Sequence, residues 1–386
     1  MSVCIFFTIG GFMLWLTLSK RYDKDPNNIS LFNVALHRYF RLFPIFLIIQ
    51  CFHQLVPASG YGPYWAHYAN MRAKAFPDNW PHYFLGTFNF LEFEKISCPQ
   101  HWYSGVDFQL FVFSLYFVLQ LKRTGRTRVL VLLAVASMAA VYTVCSLKSL
   151  KPGVFYFTPI LPSEMGEGLE SIYYMPYVHF GSYCIGILTG FYYSTQGAQQ
   201  ISKGKQAFLW LASFLSMAGA LFGSILWNFN EVPSAGFTAL YKATHRVLFS
   251  AGTSWLIFAC VTGRAGFVNS VLSWPVWAPL SRLSFGAYMI HDFIVFYQWL
   301  SFRNRISEGY FSMMTLVAGN CVTAFAASFL LHAIFEKPFA LVTTVVEEKL
   351  SQLWSGQWSQ RVHVYRSDDE TTQRNSRVRR GHSKKP

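Results

Sequence analysis

Apolar residues in this chain fall into nine long runs separated by shorter polar stretches, near 3–19, 36–56, 103–121, 128–147, 177–194, 206–227, 245–263, 280–301 and 312–334. Each is close to the roughly 20 residues that a helix needs to cross hydrocarbon. The runs are apolar on all sides rather than alternating, which is the pattern of buried or lipid-facing helices and not of strands. The predicted fold is therefore all-α, a polytopic transmembrane helix bundle of about nine spans. The segment 82–91 is too short to span, and its aromatic residues suit an interfacial position. The first run lacks a basic leader, and no small-residue cleavage site precedes the charged stretch 20–24, so it reads as a spanning helix and not a signal peptide.

Composition supports this reading. Of the 386 residues, 53% are hydrophobic and only 13% charged, about half the charge density of a soluble domain. The net charge of +14 is not a nucleic-acid signature, because Lys and Arg concentrate in short loops and in the C-terminal tail. The partners it implies are membrane lipids, whose anionic headgroups favour such placement. Lys20, Arg21, Lys24, Arg38 and Arg41 flank the first loop, Lys122, Arg123, Arg126 and Arg128 fill the third, Lys203 and Lys205 the fifth, and Arg264 the seventh. The alternate loops are poorer in basic residues for their length, so the positive-inside rule starts the chain outside and leaves the C-terminus in the cytoplasm. That orientation puts the sequon Asn28-Ile29-Ser30 where it cannot be glycosylated. The expected division is a membrane domain, 1–350, followed by a basic, disordered tail, 351–386. The outer loop 57–101, rich in Pro, Tyr, Trp and His, is long enough to be functional. Seven cysteines show no metal-binding spacing, and Cys98 with Cys145 is the one pair placed to form a disulfide.

Ionisable groups inside membrane helices are costly, so each is a functional candidate. Arg38 and Arg41 lie one turn apart where a charged loop meets an apolar run. They are either positive-inside anchors or a clamp for phosphate or carboxylate. Asp107 sits one turn into its run, with Tyr103 four residues earlier on the same face as a hydrogen-bond partner. His291 and Asp292 occupy the middle of 280–301. Ser284 shares the face of His291, and Arg282 points the opposite way. A histidine at that depth is a candidate base, proton relay or structural donor. His179, Tyr183 and His332 lie near helix ends and read as structural. Glu336 ends the last run before Pro338 and is expected to pair with an arginine at the inner mouth. The chain has no Gly-rich phosphate loop, no zinc-protease motif and no nucleophile elbow.

Several segments together resemble the acyltransferase-3 family, in the branch of the nose-resistant-to-fluoxetine proteins. They are Ser2-Val3 with Phe6-Phe7 and Gly11; Arg38-Tyr39-Phe40-Arg41-Leu42-Phe43-Pro44; Cys98-Pro99-Gln100-His101-Trp102-Tyr103 with Asp107-Phe108-Gln109; Pro176-Tyr177 through Gly190; the stretch from Leu280 to His291; and Phe335-Glu336-Lys337-Pro338-Phe339. The resemblance implies a bundle that moves an acyl group, usually acetyl, from cytosolic acyl-CoA as co-substrate to a small-molecule or lipid acceptor, with no metal. It makes Arg38, Arg41 and Arg282 the candidate binders of CoA. In the family a preceding helix supplies an Arg and the expected base, a His, after an extracellular amino-terminal domain. The matched segments begin beyond both, and Cys4-Ile5 stand where the family pattern has Asp-Thr. His291 is then the substitute base, with Asp107 as the second catalytic candidate. A non-enzymatic carrier of a lipid or drug-like molecule, or an inert partner of a complete paralogue, is the alternative reading.

Overall fold

The structure is a computed structural model and describes residues 1–26, 29–62, 65–66, 74–148, 167–223, 234–302 and 309–342, with Val345 and Lys349. Asn28, the loop 149–166 and the tail 351–386 therefore lie outside the described residues. Among those described, 87% are helical and none is in a strand, so the fold is all-α. The chain divides into two compact units, Met1–Leu331 and His332–Pro386.

In the first unit the long helices are α1 (Ser2–Lys24), α2 (Leu31–Leu55), α4 (Trp102–Thr124), α5 (Arg128–Leu147), α6 (Pro176–Gln196), α7 (Lys203–Phe222), α8 (Ala235–Val261), α10 (Trp277–Ser301) and α11 (Tyr310–Leu331), with the shorter α3 (Lys74–Leu85) and α9 (Phe267–Leu272) between them. The nine long ones coincide with the nine apolar runs. Six of them (α1, α2, α4, α5, α7 and α11) are long and apolar enough to cross a membrane by themselves. Of the other three, α6 carries a histidine, and α8 and α10 carry histidines and cations, among their apolar residues. Local signals set several helix ends: Ser30, Ser202 and Ser234 each cap a helix by accepting from the backbone N–H three residues on, and Gly125 closes α4 with φ 65°, a conformation glycine adopts without strain.

The bundle is organised around α6, which runs parallel to α1. Lipid is as apolar as leucine, so such helices associate through close packing rather than exclusion from water. Here small residues permit it. A Cβ built on Gly186 would lie 2.0 Å from the carbonyl oxygen of Thr8, and one on Gly11 2.2 Å from that of Tyr183. Further along, Gly190 receives the indole of Trp15, whose Nε1 donates to Ser194 Oγ at 3.0 Å. On the other flank, Ser137 Oγ of α5 donates to the Tyr177 carbonyl and accepts from Gly181 N. Thr189 Oγ1 reaches Ser254 of α8 at 2.9 Å.

Helix directions can be read from such pairs. Phe7 meets Trp102 and Asp23 meets Lys122, so α1 and α4 are parallel. Phe43 meets Phe108 and Phe46 meets His101, so α2 opposes α4. Phe285 packs among Leu42 and Phe43 while Phe293 meets His53, so α10 runs parallel to α2, with residue n of α2 beside approximately n + 241 of α10. Segment 82–91 is not a surface strip throughout. Tyr83 and Phe88 are fully buried and stack at 5.2 Å beneath Phe46, while Phe84, Leu85 and Phe90 are exposed.

In the second unit, Glu336 Oε2 lies 2.7 Å from His332 Nδ1, one turn earlier in a π-helical stretch. The expected pairing with an arginine is thus replaced by a local one, since i,i+4 spacing holds the imidazole beside the carboxylate whatever the packing around it.

Candidate functional site

The most polar point of the interior is an ion pair between α2 and α4. Arg38 donates to Oδ2 of Asp107 from Nη2 at 2.6 Å and from Nε at 3.2 Å. The Asp107 side chain is 2% exposed and that of Arg38 24%, and Arg38 Cζ lies 5.0 Å from the centre of the Phe111 ring. Arg38 is seven residues into α2, about 10 Å along its axis, so the charge is held well inside the helix. A guanidinium that grips one carboxylate oxygen with two N–H groups is a strong, orienting contact. Tyr103, the expected partner of Asp107, instead packs edge-on against Tyr288 and tilted on Phe7. Asp107 Oδ1 accepts no hydrogen bond among the described residues, and neither does the nearby Tyr183 hydroxyl take part in one. Gly10 of α1 makes this approach possible: a Cβ there would lie 3.2 Å from the Tyr183 ring and 3.8 Å from Oδ1.

This geometry separates Arg38 from Arg41. Positions i and i+3 are about 60° apart around a helix, enough to turn Arg38 toward α4 and leave Arg41 exposed. Arg282 is exposed as well. By the register of α2 against α10, Arg41 and Arg282 stand at the same level on neighbouring parallel helices, one turn from the Arg38–Asp107 pair.

Nearer the end of α2 that meets the turn Pro99–His101 lies a group of histidines. His101 is fully buried, 4.7 Å from Phe46 and 6.3 Å from His53, ring centre to ring centre. The turn that carries His101 is fastened to α10, because Tyr288 Oη donates to the Gln100 carbonyl at 3.0 Å and Gln100 Nε2 reaches the Met289 carbonyl at 3.4 Å. His291, the next polar side chain on α10, is half-buried, and its Nδ1 lies 2.6 Å from the Tyr288 carbonyl. A carbonyl only accepts, so Nδ1 carries the proton and Nε2 of the neutral ring presents a lone pair. Ser284 is not part of this group, as its hydroxyl donates to Ser281 of its own turn. The expectation that His291 is the buried midplane histidine is corrected: His53, His101 and His179 are each more deeply buried. His53 and His179 lie in runs so apolar that periodicity marks them only as core, His101 falls in the loop 57–101, and nothing in the sequence distinguishes a buried ring from a lining one.

Gln109 has a structural role. Its Nε2 donates to the Gly86 carbonyl and to Asn89 Oδ1, both at 2.7 Å, and Asn89 Nδ2 reaches the Tyr174 carbonyl at 3.2 Å. This lattice pins the 86–89 turn to α4. All seven cysteines are free, including Cys98 and Cys145, and no cluster of metal-ligating side chains occurs among the described residues. A separate cavity of about 240 Å³, lined by Tyr116, Gln120, Thr124, Arg126 and Val129, lies at the α4–α5 connection.

A helix bundle that buries a doubly hydrogen-bonded arginine–aspartate pair and several histidines among membrane-length helices is an integral membrane protein with a polar interior. The acyltransferase-3 family, described as an acyltransferase domain, matches residues 1–333, and the chain belongs to that family. It is 22% identical over 370 residues to "Nose resistant to fluoxetine protein 6" of Caenorhabditis elegans, covering 88% of this chain and 44% of that protein. It is 25% identical over 269 residues to "Regulator of hypoxia-inducible factor 1" of the same organism, covering 64% of this chain and 51% of that one. The chain thus spans about half the length of these curated relatives. No solved structure matches it.

Proposed function

We propose that the chain is the membrane domain of an acyltransferase that moves an acyl group, in the simplest case acetyl, from cytosolic acyl-CoA to a hydroxyl on a small-molecule or lipid acceptor. In this reading nine helices cross the membrane and the C-terminus is cytoplasmic, which the alternating directions of the paired helices favour. Arg41 and Arg282, level and exposed, hold the CoA phosphates. Arg38, anchored by Asp107, stands one turn nearer the cytoplasmic end of α2 and adds positive charge beside the phosphates. Asp107 is on this account a positioning residue for Arg38. His291 Nε2 takes the proton of the acceptor hydroxyl as the oxygen attacks the thioester carbonyl. The C–S bond then breaks, and the proton passes to the departing CoA thiolate. Nine residues separate Arg282 from His291, roughly 13 Å along the helix, a span suited to the flexible arm of CoA.

The observation that carries this proposal is the hydrogen bond from His291 Nδ1 to the Tyr288 carbonyl, because it leaves Nε2 as an acceptor on a half-buried ring. The test is release of CoA thiol from acetyl-CoA by the full chain reconstituted in vesicles. His291→Ala is expected to lower the rate about 10²–10⁴-fold with an unchanged melting temperature. Equal rates for the two proteins remove His291 from the mechanism. Absence of thiol release from the wild type, with net movement of a hydrophobic probe across the vesicle, replaces the enzyme reading by the carrier reading.

A further inference from the structure

A second basic group lies outside the site above. On α8, Lys242, His245 and Arg246 are half-buried at i, i+3 and i+4. Arg246 Cζ lies 5.9 Å from the centre of the Tyr173 ring, and its Nη1 is buried with no hydrogen-bond partner. The field of this guanidinium reaches His179 of α6, Cys145 of α5 and Cys4 of α1. The acidic groups of the adjoining segment are engaged elsewhere. Glu170 accepts from the Phe93 backbone at 2.5 Å, and Glu167 pairs with Lys148 at 3.6 Å. Arg246 therefore has no carboxylate partner among the described residues, a costly state for a guanidinium inside a bundle.

His179 supplies the complement. It is 1% exposed, stacked on Trp102 at 5.0 Å, and its Nε2 donates to the Tyr173 carbonyl at 2.9 Å. The carbonyl can only accept, so Nδ1 of the neutral ring holds a lone pair, and that atom is buried without a partner. Both side chains lie beside the Tyr173 ring, Arg246 Cζ at 5.9 Å and the His179 ring at 6.2 Å from its centre, one offering an unused N–H and positive charge, the other an unused acceptor. An oxyanion that also bears a hydroxyl satisfies both.

We propose that Arg246 and His179, both beside Tyr173, form a second binding site for a phosphate that retains a proton, either free hydrogen phosphate or the monoester headgroup of a phosphatidic acid. The guanidinium takes the charged oxygens and His179 Nδ1 accepts from the P–OH. Sulfate has the same shape but no proton at neutral pH, so it meets only half of the site.

The experiment is thermal unfolding of the full chain at constant ionic strength in sodium phosphate, sodium sulfate or sodium chloride, and in nanodiscs of phosphatidylcholine with or without phosphatidic acid. Phosphate, phosphatidic acid or both should raise the melting temperature, with sulfate no better than chloride. Arg246→Met should abolish the rise, and it should melt no lower than the wild type in chloride because it removes an unpaired charge. Arg246→Lys keeps the charge but loses the fork, and should raise the half-saturating phosphate concentration about tenfold. A response to free phosphate identifies a soluble ligand, and a response to phosphatidic acid alone a lipid headgroup. The proposal is overturned by no rise with either source, by a sulfate effect equal to that of phosphate, or by an undiminished rise in Arg246→Met.

Discussion

At the scale of single residues, the Arg38–Asp107 contact decides most. A buried pair contributes little net stability, yet loss of one partner strands the other charge. Asp107→Asn is expected to destabilise the protein by about 3–5 kcal/mol, whereas Arg38→Met with Asp107→Leu should recover most of that loss. Denaturant or thermal unfolding of the three proteins checks it, and equal losses in the single and double variants would show that the pair is not a unit. The sequence marked both residues as candidates, but it could not join them, because they are 69 positions apart and lie on helices whose register the pattern does not disclose. Arg246 escapes the pattern, because Lys242, His245 and Arg246 at the start of the run 245–263 look the same in sequence whether they face headgroups or a half-buried tyrosine.

At the scale of elements, the apolar runs revealed all nine long helices, since membrane length and uniform hydrophobicity are strong signals. Smaller elements escaped. α3 contains Pro77 and Pro81 and a non-helical Asn79 with φ −124°, so it reads as loop in any periodicity test, although its Tyr83 anchors the aromatic stack under Phe46. The pairing of α1 with α6 was also hidden, because glycines in apolar runs are common and only the three-dimensional crossing shows which of them touch. Gly186→Ala is expected to force a clash with the Thr8 carbonyl and to cost about 1–3 kcal/mol. Gly204→Ala in α7, where a Cβ meets nothing within 4 Å, should cost nothing and gain slightly in helix propensity. Melting temperatures of the two variants side by side test the assignment, and similar values would deny the crossing its role.

At the scale of the whole molecule, Arg41 and Arg282 stand level on neighbouring parallel helices, one turn from the buried Arg38–Asp107 pair. If Arg41 and Arg282 hold CoA phosphates at one level of the bundle, Arg41→Gln with Arg282→Gln should raise the KM for acyl-CoA by at least about tenfold, leave kcat within a few-fold, and flatten the dependence of KM on salt. A double variant with unchanged KM would leave the phosphates to other groups.

The crossing of α1 and α6 also limits how this bundle can move. With Gly11 against the Tyr183 carbonyl and Gly186 against that of Thr8, two backbones meet without side chains between them to act as rollers. Sliding either helix by one residue would drive a neighbouring Cβ into the opposing main chain. Rotation about the point of contact changes those distances little. The close approach therefore resists sliding of one helix along the other more than it resists rotation.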